Sequence, residues 1–169
     1  IHFAAGKGQL DIVQWLLLQG GSDISERSVP YGLSALHFAA RGGHLHVVRW
    51  LLSNGGASIT DRNLQGWTAL LCSAHQQRQE TMQWLLRSGG ANINDVTKDG
   101  WTVWYAFSGY SHLDTIPADQ LVVTLKIMLA RGAPPRSFIT YTLPPSLHPL
   151  FAQGVVVRLR MPVDSPWRV

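Results

Sequence analysis

The sequence predicts an all-α solenoid of stacked helical hairpins, and three observations carry that prediction. First, the chain of 169 residues repeats itself: Ser34 to Ile59 aligns with Ile1 to Ile24 at an offset of 35 and with Thr68 to Ile93 at an offset of 34. Second, Gly32, Gly66 and Gly100 keep a strict 34-residue beat. Third, each unit holds two short apolar blocks at helical spacing with glycine between them.

The unit at residues 32 to 65 is the most complete. Ala35-Leu36-Phe38-Ala39-Ala40 is rich in alanine and poor in β-branched residues, as a closely packed helix requires. Leu45, Val47, Val48, Leu51 and Leu52 place large side chains on one face of a second helix. Gly42-Gly43 separates the two blocks, and Gly55-Gly56 ends the second with a residue that tolerates a left-handed cap. Asp61, Asn63 and Gly66 then form an extended turn leading to the next Thr or Ser helix cap.

These residues resemble the ankyrin repeat. Ser34-Ala35-Leu36-His37-Phe38-Ala39-Ala40 stands where that family has Thr-Pro-Leu-His-x-Ala-Ala, and Gly43-His44, Val47-Val48, Leu51-Leu52 and Gly56-Ala57 follow in family order. The resemblance covers residues 1 to 133 and implies an ankyrin-type array: residues 1 to 31, 32 to 65, 66 to 99 and 100 to 133. A second glycine (Gly21, Gly56, Gly90) lengthens each unit after its second helix.

Divergence grows toward the carboxyl end. In the third unit Leu71 replaces the motif histidine and Gln77-Arg78 replaces Gly-His, so its helix-helix turn is expected to use different hydrogen bonds. The fourth unit carries an insertion near residues 110 to 120, and Phe107 fills a slot held elsewhere by Ala4, Ala39 and Ser73. A ring there forces helices apart unless it turns outward, so a distorted last repeat is expected. Residues 134 to 169 hold seven of the nine prolines and leave the period. They read either as a cap on the last repeat or as the start of a truncated further region, with helix and strand both open for Ser146 to Met161. Opening in mid-motif on Ile1-His2, the chain reads as an excised fragment.

At 46% hydrophobic and 14% charged residues, the composition is that of a folding chain. Of the formal charge of +4, residues 1 to 133 hold +1 and the tail, with Arg136, Arg158, Arg160 and Arg168 against Asp164, holds +3. A nearly neutral body argues against nucleic-acid binding by the main surface. The single cysteine, Cys72, excludes an intramolecular disulfide and fits an intracellular, cytoplasmic or nuclear setting. No apolar run reaches the roughly 18 to 20 residues of a membrane span.

The chemistry of an enzyme is hard to find. The resemblance assigns His2 and His37 to the motif slot that bridges backbone groups of neighbouring turns, and His44 and His112 to the slot after the helix-helix turn. His46, His75 and His148 remain, without acidic or cysteine neighbours at metal-ligand spacing, so no metal, cofactor or catalytic residue is expected. Cys72 takes the slot of Phe38, half-exposed in this family, and the inert reading of its thiol is preferred.

The tryptophans are more informative. Trp15, Trp50 and Trp84 recur before the paired leucines of the second helix, which suggests packing between neighbouring units. Trp67 and Trp101 follow the closing glycine of the extended turn, where unit two has Leu33; by resemblance this slot faces a concave groove. They are either interface anchors or rings folded back on the next turn's aliphatic carbons. With Phe38, Arg41, His75 and Tyr105 from the first helices they make an aromatic, Arg and His surface. Such a surface suits another protein or peptide better than a small-molecule substrate. The resemblance thus implies a protein-interaction module without catalysis. The alternatives are the recognition arm of a larger adaptor or enzyme, such as one recruiting ubiquitin-pathway substrates, and anionic-surface binding by the basic tail.

Overall fold

The computed structural model describes residues 1 to 108 and 117 to 132. Eight helices occur among them: α1 (His2–Gly6), α2 (Leu10–Leu18), α3 (Ala35–Gly42), α4 (Leu45–Ser53), α5 (Ala69–His75), α6 (Gln79–Arg87), α7 (Val103–Ser108) and α8 (Ala118–Ala130). The chain divides into two compact units, Ile1–Tyr110 and Ser111–Val169. The reading of Ser146 to Met161, His112 and His148 lies outside the described residues.

In the first unit, α1 packs on α2, α3 on α4 and α5 on α6, and the hairpins stack through their first helices, α1 on α3, α3 on α5 and α5 on α7. Alanine makes that stacking possible. Ala4, Ala5, Ala39, Ala40, Ala69 and Ala74 are buried, so one backbone can approach the next, while Leu36, Leu51, Leu70, Leu85 and Leu86 fill the seam between layers. Phe107 is also buried; the ring has not turned outward.

Helix starts follow local chemistry. The Thr68 and Thr102 hydroxyl oxygens accept from the backbone N–H groups of Leu71 (3.4 Å) and Tyr105 (3.2 Å), and Ser34 caps α3 together with His37. The second helices end in a Gly-Gly turn whose two members do different work. Gly21, Gly56 and Gly90 take left-handed φ values of 72, 76 and 73°. Gly20, Gly55 and Gly89 instead make room: a Cβ there would lie 2.9 to 3.0 Å from Cζ3 of Trp15, Trp50 and Trp84. The rings expected to pack between neighbouring units thus also cover their own turns. Each lies on its own turn's glycine, and Trp15 is 55% exposed. Trp84 also reaches across to the preceding unit, its ring facing the Arg49 guanidinium at 5.3 Å.

The helix-helix turns explain two histidines and one strained residue. Nε2–H of His44 donates to the carbonyl of Gly6 (3.0 Å), and Nε2–H of His46 donates to that of Gly8 (2.9 Å). His46, unassigned in the sequence, is therefore a cross-repeat strut like His44. In the third unit Arg78 replaces the histidine and donates from Nε to the carbonyl of Arg41 (3.1 Å). Here Gln77 takes the left-handed conformation (φ 53°) that Gly8 and Gly43 adopt freely, and its buried Nε2 lacks a hydrogen-bond partner. A non-glycine residue in that region costs roughly 1 kcal/mol. Gln77→Gly is therefore expected to stabilise the chain by about 0.5 to 1 kcal/mol, the loss of unfolded-state stiffness offsetting part of the gain. A higher urea midpoint is the check; an unchanged or lower one would mean that Gln77 is relaxed.

In the second unit the described residues form α8, which follows Pro117 and is 13 residues long. Leu121, Thr124, Leu125 and Met128 recur at helical spacing and are buried, whereas Val123 and Lys126 are exposed. Nine residues separate α7 from α8, against two or three between the helices of the hairpins α1 to α6.

Candidate functional site

The turns between hairpins are built as a row of cross-linked fingers. Oδ1 of Asn63 accepts from the N–H groups of Gln65 (2.9 Å) and Trp67 (2.8 Å), and the Asn63 N–H donates to the Trp67 carbonyl (3.0 Å). One unit on, Oγ1 of Thr97 accepts from Trp101 N–H (3.0 Å) and Thr97 N–H donates to the Trp101 carbonyl (3.0 Å). Adjacent fingers are joined by Leu64 N–H to the Tyr31 carbonyl (3.1 Å) and Lys98 N–H to the Gln65 carbonyl (2.9 Å). The register of the tips is therefore set by backbone bonds, which hold Trp67 and Trp101 beside the first helices α5 and α7.

Ion pairs lock the same fingers. The Arg27 guanidinium donates to Asp61 (2.9 Å), and Arg62 donates to Asp95 and to the carbonyls of Val96 (2.9 Å) and Gly66 (3.0 Å). Sequence reasoning missed this ladder, although the Arg27 to Asp61 spacing of one repeat was a usable signal. It also missed the apolar tips: Val29, Tyr31 and Leu64 are 93%, 54% and 62% exposed, beside an open hollow of about 390 Å³ between Pro30, Leu64 and Lys98.

Four of the seven residues expected to meet a partner come together as one aromatic cluster. Trp67 and Trp101 lie 5.7 Å apart between ring centres, His75 lies edge-on to Trp67 at 5.2 Å and 6.1 Å from Trp101, and Tyr105 stands edge-on to Trp101 at 4.5 Å. All four rings are half-buried. The rings thus pack on one another. Phe38 forms a separate pair with His2 at 5.4 Å. Leu33 is half-buried, its carbonyl accepting from Ser28 N–H (2.9 Å), and Arg41 is exposed in the last turn of α3.

Burial and the Arg41 charge both hold His75 below the ordinary histidine range, and its Nδ1 accepts from the Gln76 side-chain amide (2.9 Å). His75 is therefore a neutral ring near pH 7. Cys72, expected to be half-exposed, is buried, because the next hairpin covers α5 where a cysteine is too short to project past it. Burial pushes its thiol up to about 12, which leaves no thiolate for chemistry. Among the described residues no three His, Cys, Asp or Glu side chains converge as a metal site, and no helix is long and apolar enough to cross a membrane.

A family model described as ankyrin repeats (3 copies) matches residues 1–97. No curated protein matches the chain.

Proposed function

Because the chain belongs to the ankyrin repeat family, whose repeats generally serve as protein-protein interaction modules, we propose that it captures another protein or peptide on the face formed by its turn tips and first helices. The observation that carries this reading is the half-buried cluster of Trp67, His75, Trp101 and Tyr105. Rings that already support one another lose little freedom when a partner covers them, so their remaining exposed area is available for binding at low ordering cost. The cross-linked fingers hold that area rigid. No step of the reading needs catalysis, and a lone, buried thiol suits an intracellular setting, cytoplasmic or nuclear.

The test is affinity capture from cell extract with the wild-type chain and with Trp67→Ala/Trp101→Ala. The double variant is expected to lose captured partners by about tenfold or more while its far-UV circular dichroism stays nearly unchanged. If both proteins retain the same partners, the cluster is not the binding surface. If helicity falls with capture, the rings belong to the core instead.

A further inference from the structure

The carboxylates of the first compact unit are distributed unevenly. Asp23, Glu26, Asp61, Asp95 and Asp99 sit on the turns, and Asp11 and Glu80 begin second helices. The first helices α1, α3, α5 and α7 carry none. The cations divide differently. Arg27 and Arg62 on the tips are neutralised by Asp61 and Asp95, whereas the exposed Arg41 guanidinium has no ion-pair partner among the described residues. Arg41 and His75 occupy the same slot of successive stacked helices, one 34-residue step apart, so the Arg41 charge borders the aromatic cluster.

We infer that the first-helix face takes an extended acidic peptide, with an apolar side chain on the Trp67–Trp101 pair and a neighbouring carboxylate on the Arg41 guanidinium. This deepens, and rests on, the proposed protein-capturing role. Complementary charge decides the partner: an acidic segment meets no repulsion on α3 and α5 and gains in encounter rate and selectivity, while a basic one meets Arg41 with no carboxylate on these helices to offset it. A cationic guest caged between the rings is excluded on geometry. Ring centres 4.5 to 6.1 Å apart are already in contact and leave no space for an ammonium group.

The test pans a phage library of random dodecapeptides against the whole chain, with Trp67→Ala/Trp101→Ala as counter-target. Enriched peptides are expected to carry Asp or Glu beside Leu, Ile or Phe. A synthetic copy of the best one should bind Arg41→Glu about tenfold or more weakly and lose affinity as salt rises. Arg49→Gln, on α4, should bind as wild type does. Neutral or basic consensus peptides, or indifference to Arg41→Glu, would overturn the acidic assignment and leave protein capture standing, whereas tighter binding of single-stranded oligothymidylate to the same face would overturn protein capture as well. No enrichment over the counter-target would overturn both.

Discussion

Leu51→Ala is expected to lower the unfolding free energy by about 2 to 5 kcal/mol. Leu51 is fully buried on α4, and its surroundings have little freedom to collapse into the void. Its Cα and Cδ2 lie where a Cβ on Gly55 would meet them at 2.9 and 3.1 Å, and its carbonyl accepts from the N–H of Ala57 (3.0 Å), which closes the turn. In a stacked array each unit is held by its neighbours, so a hole in the second hairpin weakens the interfaces on both sides. Leu18→Ala is the control: that side chain is 74% exposed, and its loss should stay within about 0.5 kcal/mol. Urea denaturation of both variants reads the difference. Equal costs would mean that burial of Leu51 does not hold the stack together.

The second large effect is expected at His37. This imidazole is fully buried. Its Nδ1 accepts from the Ser34 N–H (3.2 Å), which leaves Nε2–H to donate to the Trp67 carbonyl of the next finger (2.8 Å). One side chain therefore caps its own helix and ties down the turn that carries Trp67. His37→Ala removes both bonds and opens a cavity, at about 2 to 4 kcal/mol. His37→Leu should cost less, because Leu71 fills the corresponding slot of the third unit and is fully buried there.

The same residue makes stability depend on pH. Burial is the main cause that holds His37 below the ordinary value of 6.5, and the Trp67 carbonyl only partly opposes it. The unfolded chain therefore takes up a proton before the folded one does. The stabilisation is complete above about pH 6.5 and is lost as the pH falls toward the lower folded value. Lowering the pH from about 7.5 to 5 should reduce the urea midpoint of the wild type more than that of His37→Leu. A residual slope is expected from His75, shifted in the same direction. Equal losses in both proteins would remove His37 as a source.

The repeat and its hairpins were legible because their signals are local. The Ala-rich first helix, the apolar stripe of the second, the Ser and Thr caps and the left-handed glycines Gly43 and Gly56 are each decided by neighbours within a few positions along the chain. The members of the aromatic cluster were legible as a set, since Trp67 and Trp101 recur one unit apart. Their arrangement was not. Whether two rings 34 positions apart project, fold back or pack together depends on how closely α5 and α7 stack, and that spacing is set by the alanines of both.

The misreadings have the same origin. Cys72 was placed by analogy with Phe38, yet a short side chain sinks below the surface that a phenylalanine reaches. His46 looked idle because its partner, the Gly8 carbonyl, lies 38 positions away. Short-range pattern sufficed to specify helices, caps, turns and the order in which hairpins stack. Exposure, ring contacts, the Arg27–Asp61 pair and the proton affinities of His37 and His75 arose only when hairpins were brought side by side, because desolvation and contact belong to pairs of surfaces that no single stretch of chain contains.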